Sequence, residues 1–314
     1  MHRDVEVLML YPLDLVAADE TGEVVLINTA SKEFRSEFEA RAEDTSGNAA
    51  TDALIRQTGV IRARTIDDMM ALLRDGADIL DVGGESTRPG AVPVSAQDEI
   101  GRVVPVIREL AESVPVPVSV DTSKPEVIEA AIAAGASMVN DVRALRADGA
   151  LQAAAAAAVP VCLMHMQGEP GTMQTSPTYR NVVEDVFAFL AERMEACLAA
   201  GIGEERIVLD PGFGFGKTLE HNLVLMRGLG RLLDLGRPLL VGVSRKSMIG
   251  TMLDRPVDKR LWGSLALAVM AAERGARILR VHDVAPTVDV LKIAAAVGSG
   301  RRTFAQTGPT PRGD

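Results

Sequence analysis

Short apolar segments that end in polar side chains recur along the chain, and this repeat constrains the fold more than any other feature. The first example runs from Ile79 and Leu80 into Asp81 and a loop of sequence Val-Gly-Gly-Glu-Ser-Thr-Arg-Pro-Gly. Six further apolar segments reach polar residues in the same way, at Asp121, Asn140, Met164-His165, Asp210, Ser244 and Arg280. Each pattern is typical of a buried strand whose carboxyl end carries polar groups.

Helical patterns lie between these segments. Residues 65–74 show one with a threonine cap and acidic residues in the first turn, and others cover 98–113, 125–134, 181–200 and 263–274. Strands that alternate with helices form βα units, whose right-handed crossovers build a parallel sheet. Eight such units, in about 250 residues, close into a (β/α)8 TIM barrel with its active site at the C-terminal ends of the strands.

An open, doubly wound sheet is the alternative α/β architecture. Such a sheet usually presents only a few strand ends, near its switch point. This chain carries polar groups at seven strand ends, so the sequence predicts the barrel.

The composition restricts the size of the core and the kinds of partner. A chain of 314 residues with 47% hydrophobic content can bury one large core, which favours a single main domain. The net charge of -10 and the lack of a basic run argue against nucleic acid as a partner. No apolar run is long enough to span a membrane, so we expect small-molecule partners instead.

Two features favour a cytoplasmic location. The opening residues, Met-His-Arg-Asp-Val-Glu, lack the basic region and apolar core of a signal peptide. Cys162 falls in a predicted strand and Cys197 in a predicted helix, which is typical of small buried residues in a reducing compartment.

Longer motifs surround the strand ends. They are Asp-Val-Gly-Gly-Glu-Ser-Thr-Arg-Pro-Gly (81–90), Val-Asp-Thr-Ser-Lys-Pro (120–125), Asn-Asp-Val-Arg (140–143), Leu-Met-His-Met-Gln-Gly (163–168), Leu-Asp-Pro-Gly-Phe-Gly-Phe-Gly-Lys (209–217), Ser-Arg-Lys-Ser-Met-Ile-Gly (244–250) and Arg-Val-His-Asp-Val (280–284). In this order and spacing they resemble the dihydropteroate synthases, a family of pterin-binding barrel enzymes. The resemblance covers residues 78–298.

The resemblance implies a reaction of folate biosynthesis. In it, 6-hydroxymethyl-7,8-dihydropterin diphosphate condenses with 4-aminobenzoate to give 7,8-dihydropteroate and pyrophosphate, by an SN1-like substitution at the pterin methylene. The protein's part is to align two planar substrates, stabilise the leaving diphosphate and exclude water. The family also implies Mg2+ on the diphosphate, which takes few protein ligands, and a homodimer formed through helices far from the active-site mouth.

Several residues match the family's pterin site. A pterin presents a row of N–H donors that a buried carboxylate can accept side by side. Asp121 and Asp210 are similar to the family's pterin-binding carboxylates, with the Asn140 amide between them. Lys246 resembles the lysine that donates to the pterin ring and borders the 4-aminobenzoate site.

Other residues match the remaining parts of the family's active site. Arg280 can stack its guanidinium on the pterin and still reach phosphate oxygens, and His282 is placed to hold the diphosphate. Phe215 and Met164 resemble the apolar walls of the family's pterin slot. The family's second-substrate pocket is matched by Thr87, Arg88, Pro89 and Ser244. The predicted catalytic residues are Lys246, Arg280 and Arg88.

The carboxylates also have a structural interpretation. Asp121 and Asp210 could each cap the helix that follows their strand. Their occurrence with Asn140 and Lys246 at one barrel mouth favours the binding role.

Two other side chains are expected to serve the fold. His165 lies in an apolar Met-His-Met run and is expected to form a pocket wall with a hydrogen-bonded ring. Trp262, at the start of a late helix, is expected to pack against neighbouring elements.

The N-terminal segment departs from the family. There the first strand ends in Asn-Val-Thr-Pro-Asp-Ser-Phe, whose Asn helps to hold the Mg2+-diphosphate and precedes a mobile loop. One candidate here is Asn28, which follows an apolar strand-like run but lacks the Pro and Asp. The alternative is Asn48, which keeps the spacing to Asp52 but has no apolar strand before it.

Residues 8–40 allow a third interpretation. They show a strand, a turn at 19–22, a second strand and the beginning of a helix, which is similar to the opening of a PAS sensor domain or to an ordinary hairpin. We therefore divide the chain into a divergent N-terminal segment with a linker (1–59), a pterin-binding barrel (60–298) and a disordered tail (299–314).

Three functions remain open. The prediction is a dihydropteroate synthase. The alternative is a catalytically impaired pterin-binding paralogue that lacks the first mobile loop. A methyltetrahydrofolate methyltransferase is disfavoured, because the Ser-Thr-Arg-Pro loop and the Ser-Arg-Lys motif serve 4-aminobenzoate and diphosphate in the family.

Overall fold

The structure, a computed structural model, describes residues 5–10, 66–87 and 92–298. Eight strands form one closed barrel in chain order. They are β1 (Val5–Leu10), β2 (Ile79–Gly83), β3 (Val118–Asp121), β4 (Met138–Asp141), β5 (Val161–Met164), β6 (Ile207–Asp210), β7 (Leu239–Val241) and β8 (Ala276–Val281). The strands β2 to β8 pair in parallel, each with the next. The predicted barrel is confirmed, and the open sheet is excluded.

The first strand departs from the all-parallel prediction. β1 pairs antiparallel with both β2 and β8, with Leu8 opposite Ile79 and Leu10 opposite Ile278. An antiparallel strand satisfies the hydrogen-bonding edges of its neighbours as a parallel one does, so it can close the barrel. Because Ile79 and Ile278 lie near the beginnings of their strands, the carboxyl end of β1 lies at the end of the barrel opposite the active-site mouth.

The predicted N-terminal and C-terminal features fall mostly outside the described residues. Both metal-ligand candidates, Asn28 and Asn48, lie there, as do the turn and second strand of the predicted hairpin and the tail 299–314. The strand that closes the barrel is Val5–Leu10, which begins earlier than the first strand of that hairpin.

The helices surround the barrel and begin where their sequences place capping groups. They are α1 (Ile66–Arg74), α2 (Ala96–Ser113), α3 (Pro125–Ala133), α4 (Ala150–Ala157), α5 (Val182–Ala199), α6 (Leu219–Arg227), α7 (Ser247–Leu253), α8 (Leu261–Glu273) and α9 (Val284–Gly298). The five helices predicted from sequence are confirmed within two residues at each end. Within the described part of the chain, none of the helices has the length and apolarity that a membrane crossing would need.

Side-chain caps explain several helix starts. The Ser95 hydroxyl accepts the Asp98 amide at 3.1 Å, and the Asn181 side chain accepts the amide of Val183. Thr218 and His221 form a capping box, in which each side chain accepts the other's amide. These acceptors satisfy amides that have no partner within the helix.

The barrel interior is layered because side chains alternate between the two faces of a strand. One buried apolar layer fills the barrel interior further from the mouth. It is formed by Ile79, Met138, Cys162, Val208, Leu240 and Ile278. Two residues further along five of these strands stand Asp81, Asn140, Met164, Asp210 and Arg280. The period of two therefore places these five residues, four of which are polar, in the next layer, towards the mouth. A larger apolar core lies between the strands and the helices.

Two predictions about single side chains have different outcomes. Cys162 and Cys197 are buried free thiols, as expected. Trp262, in contrast, is 76% exposed, so the prediction that it packs is wrong. It lies on α8 with Ala266 and Met270 at a spacing of four residues, and all three are exposed. This spacing keeps them on the outer face, while Leu265, Ala268 and Ala272 face the barrel.

Candidate active site

A buried ion pair lies in the polar layer of the barrel. Arg280 on β8 donates to Asp81 on β2 at 3.0 Å, and its other terminal nitrogen lies 3.5 Å from Asp210 on β6. All three side chains are at most 7% exposed. A guanidinium with its planar fork between two carboxylates keeps a fixed orientation, because any rotation leaves a buried charge unsatisfied.

Asp81 is a site residue that the sequence prediction missed. It was recognised only as the start of a motif, although its position two residues after inward-facing Ile79 matches that of Asn140 after Met138 and Asp210 after Val208. This shared register was the signal that could have identified it.

The predicted pterin carboxylate Asp210 and the amide Asn140 are both brought into the barrel mouth. Burial raises the pKa of the Asp210 carboxyl, and the positive charge of Arg280 opposes this effect. The Asn140 side chain donates to Asp81 at 3.5 Å, while its carbonyl oxygen is buried and accepts no hydrogen bond from the described residues. A buried acceptor of this kind suits a ligand N–H donor. Asp121, at the end of β3, is half-buried beside them.

The loop after β6 crosses closely over the end of β5. Gly212 has a φ of +66°, and a Cβ there would lie 1.9 Å from the carbonyl oxygen of His165. Only glycine allows this approach. The Asp210 carboxylate accepts the Gly212 amide at 2.7 Å, which ties the loop to the site.

This loop places the predicted apolar wall and the predicted catalytic lysine together. Phe215 packs beside a buried cluster that contains Met164 and Val142. Lys246 donates to the carbonyl of Phe213 at 2.7 Å, and its ammonium lies 4.4 Å from the centre of the Phe215 ring. The structure thus brings Met164, Phe215 and Lys246 to one side of the mouth, as the resemblance implied.

The loops after β7 and β8 are joined by two pairs of side chains. The Ser244 hydroxyl lies 2.9 Å from Nδ1 of His282 and accepts the backbone amide of His282 at 3.2 Å. The next residue of the β7 loop, Arg245, donates to Asp283 at 2.8 Å. These contacts hold His282 beside Arg280 at the barrel mouth.

The loop after β2 borders a cavity of about 350 Å³ at the mouth. Thr87 lines this cavity together with Asp121. The loop after β2 is held by Lys124, which pairs with Glu85 of this loop at 2.5 Å and with the buried Glu99 of α2. The neighbouring predicted residues Arg88 and Pro89 lie outside the described residues.

Lys217 was also missed as a site residue by the sequence prediction. It is 3% exposed and donates to the carbonyls of Gly212 and Phe215, at 2.8 and 3.1 Å. Its third contact is Nδ1 of His165, at 2.9 Å. Lys217 therefore fastens the loop that carries Phe215, and the expected hydrogen-bonded ring of His165 is confirmed.

Burial shifts the pKa values of this pair strongly. It lowers the pKa of Lys217 to about 7, with Asp210 opposing the shift. Burial and the charge of Lys217 lower the pKa of His165 to about 2, so the imidazole is neutral at physiological pH.

The stability of the protein should depend on the charge of Lys217. The folded pKa of about 7 is lower than the ordinary lysine pKa of 10.5, so the unfolded chain binds more protons between these values. The free energy of unfolding of the wild type should therefore rise relative to that of Lys217→Met as the pH increases through this window, by on the order of 1 kcal/mol per pH unit. Urea denaturation of both proteins at pH 7 and pH 9 measures the difference. A constant difference would show that Lys217 titrates normally.

Known proteins with similar sequences and structures belong to one enzyme family. The family model described as pterin binding enzyme matches residues 48–282. The dihydropteroate synthase of Haemophilus influenzae is 51% identical over 228 residues, which is 73% of this chain and 83% of that protein. The chain of the Yersinia pestis dihydropteroate synthase in a sulfonamide drug complex is 50% identical, with a TM-score of 0.74 over 74% of this chain and 85% of that one.

A third relative has been solved with bound small molecules. Xanthomonas albilineans dihydropteroate synthase with 4-aminobenzoic acid is 51% identical, with a TM-score of 0.70 over 74% of this chain and 83% of that one. The same enzyme in complex with 7,8-dihydropteroate is 48% identical, with a TM-score of 0.68 over 74% of this chain and 85% of that one. Together with the charged layer in the barrel mouth, these matches show that the chain belongs to the pterin-binding enzymes and, among them, to the dihydropteroate synthases.

Proposed function

We propose that this protein is a transferase that condenses 6-hydroxymethyl-7,8-dihydropterin diphosphate with 4-aminobenzoate, giving 7,8-dihydropteroate and pyrophosphate. The observation that carries the proposal is the buried Asp81–Arg280–Asp210 group, with Lys246 above Phe215 at the same barrel mouth. A planar ligand that has N–H donors on one edge and an anionic tail matches these residues in shape and charge.

The pterin would be bound by its edge. Asp210 accepts ring N–H and amino donors, and the carbonyl oxygen of Asn140 accepts a further one. Asp121 lies at the end of the neighbouring strand β3, paired with Asn140 in register. Hydrogen bonds to an ionised carboxylate are stronger than those between neutral groups, so Asp210 supplies most of the orientation.

The leaving diphosphate would face the cationic side of the mouth. Arg280 and His282 lie two residues apart at the end of β8 and offer donors to phosphate oxygens. Lys246 lies over the Phe215 ring, where its ammonium can reach the pterin. Donors that are already in place stabilise negative charge as it develops on the departing group, without further reorganisation.

The second substrate would bind nearer the surface. Thr87 lines the cavity at the mouth, Ser244 lies in the loop after β7, and Arg88 and Pro89 follow Thr87 in the sequence. The relative from X. albilineans has been solved with 4-aminobenzoic acid, which supports an aminobenzoate as the nucleophile. In the SN1-like path the C–O bond to the diphosphate breaks first, and the neutral amine then attacks the pterin methylene and loses a proton.

Mg2+ is part of the proposal as a partner of the diphosphate. Among the described residues there is no group of three or more His, Cys, Asp or Glu side chains that could hold a metal ion. This suits an ion held largely by phosphate oxygens and water. Asn28 is proposed as the protein ligand, with Asn48, at the start of the family match, as the alternative.

A second candidate function is pterin binding without turnover. It is favoured by the direction of β1, because the carboxyl end of this antiparallel strand lies at the end of the barrel opposite the mouth.

One experiment separates the two functions. Purified protein is mixed with the dihydropterin diphosphate, Mg2+ and 4-aminobenzoate, and pyrophosphate release is measured beside calorimetric binding of the pterin diphosphate alone. Release that depends on 4-aminobenzoate supports the synthase. Binding without release would establish the pterin-binding paralogue, and the absence of both would refute the site.

The protein is further proposed to form a homodimer through the outer face of α7 and α8. Several large apolar side chains are exposed on these helices and on the segment between them, namely Met252, Leu253, Val257, Trp262 and Met270. Exposed large apolar side chains are enriched at protein–protein interfaces, which supports this choice of face.

Substitution of Trp262 by aspartate should therefore convert the dimer to a monomer without loss of fold. Burying an unpaired charge in an apolar interface costs several kcal/mol, which is enough to shift a dimer equilibrium by about a hundredfold or more. Sedimentation at several concentrations measures the effect. Ile293→Asp, at an exposed position on α9, is the matched control. Dimers that persist in Trp262→Asp would place the interface elsewhere.

The location proposed for the protein is the cytoplasm. Its two cysteines are buried free thiols, which agrees with a reducing compartment.

A further inference from the structure

The contact between Ser244 and His282 determines more than the position of the two loops. A serine hydroxyl has one hydrogen to donate and two lone pairs that accept. One lone pair of Ser244 Oγ accepts the backbone amide of His282 at 3.2 Å. The same oxygen lies 2.9 Å from Nδ1 of the His282 ring.

The hydroxyl hydrogen of Ser244 has one available acceptor in this arrangement. Ser244 is 5% exposed, so water has little access to it. Within the described part of the chain, Nδ1 of His282 is the only acceptor in contact with the hydroxyl. The hydrogen therefore points to Nδ1, which must carry a lone pair. In a neutral imidazole the proton is then on Nε2.

The neighbouring ion pair keeps this geometry in place. Arg245 and Asp283, the residues that follow Ser244 and His282 respectively, are linked by two hydrogen bonds between the same loops. Arg260 also donates to the carbonyl of Arg245 at 3.0 Å. The backbones that carry the hydroxyl and the imidazole are thus held on both loops.

We propose that Ser244 is a positioning residue that keeps His282 in the Nε2–H tautomer, so that the imidazole presents an N–H donor to the leaving diphosphate. The inference rests on the proposed function and gives Ser244 a role apart from the 4-aminobenzoate pocket. The opposite tautomer would direct the Nε2 lone pair at a phosphate oxygen, which is repulsive.

The tautomer can be observed directly in the free protein. The chain has four histidines, so 15N-histidine NMR spectra can be assigned one ring at a time. We expect His282 to show a single Nε2–H tautomer in the wild type and a mixture in Ser244→Ala. His221, whose Nδ1 accepts the Thr218 amide at 3.3 Å, is an internal reference that should not change. Ser244→Thr restores the hydroxyl and should restore the spectrum.

Binding measurements test the consequence for the substrate. Ser244→Ala should weaken binding of the pterin diphosphate by about tenfold, the loss expected for one hydrogen bond to a charged group. Binding of 6-hydroxymethyl-dihydropterin, which has no diphosphate, should stay the same.

Two results would overturn the proposal. One is an unchanged His282 tautomer in Ser244→Ala. The other is an altered KM for 4-aminobenzoate with normal diphosphate binding, which would assign the hydroxyl to the second substrate. The NMR measurement needs neither substrate nor turnover, so it separates a failure of this proposal from a failure of the proposed function.

Discussion

Replacement of Asp210 by alanine should remove pterin binding and leave the barrel folded. The carboxylate is 2% exposed and is the acceptor best placed for the N–H edge of the pterin. Loss of two hydrogen bonds to a charged group costs about 3–6 kcal/mol, so kcat/KM should fall by about a hundredfold to ten-thousandfold. Calorimetry with the pterin diphosphate and steady-state kinetics measure the two effects.

The barrel should tolerate the Asp210→Ala change because Arg280 keeps its closer partner. Asp81 lies 3.0 Å from the guanidinium, whereas Asp210 lies 3.5 Å away. The matched control is Asp234→Asn, in which an exposed carboxylate paired with Arg231 is neutralised. The control should bind and turn over normally. Full pterin binding by Asp210→Ala would show that the assigned carboxylate is the wrong one.

Substitution of Lys246 by alanine should have an effect of similar size on turnover. The ammonium is held between the Phe213 carbonyl and the Phe215 ring, so its charge is placed at the side of the pterin slot. Without it, kcat/KM should fall by at least about a hundredfold, which corresponds to one well-placed charged donor. Lys246→Arg should restore little of the lost kcat/KM, because a planar guanidinium cannot occupy the same point above the Phe215 ring.

Lys259→Ala is the control for Lys246. Its side chain is 69% exposed and pairs only with a neighbouring carboxylate in the described part of the chain, so its removal should leave kinetics and stability unchanged. Thermal unfolding of the Lys246→Ala protein should also stay close to that of the wild type. Normal turnover by Lys246→Ala would contradict the catalytic assignment.

Much of the fold was predictable because its signals are local. Apolar runs of strand length, helical patterns and capping residues such as Asn181 are properties of short segments, and the five predicted helices have the expected positions. The period of two along a strand also places Asn140 and Asp210 on the inner face. The barrel then follows from the order of the elements.

Contacts between distant segments were not predictable in the same way. Asp81 and Arg280 are 199 residues apart, and Lys217 and His165 are 52 apart. Each side chain alone has an ordinary interpretation as a motif residue or a pocket wall. Only the closure of the barrel brings them within hydrogen-bonding distance.

The sequence by itself determined the class of fold, the layer of polar residues at the strand ends and the family resemblance, because these depend on residue type and spacing along the chain. The tertiary structure alone decided the direction of β1, the exposure of Trp262 and the pairing of Asp81, Lys217 and Ser244 with their partners. These features depend on which strand edges, helix faces and buried charges meet. That is set by the free energy of packing the whole barrel, which no short segment contains.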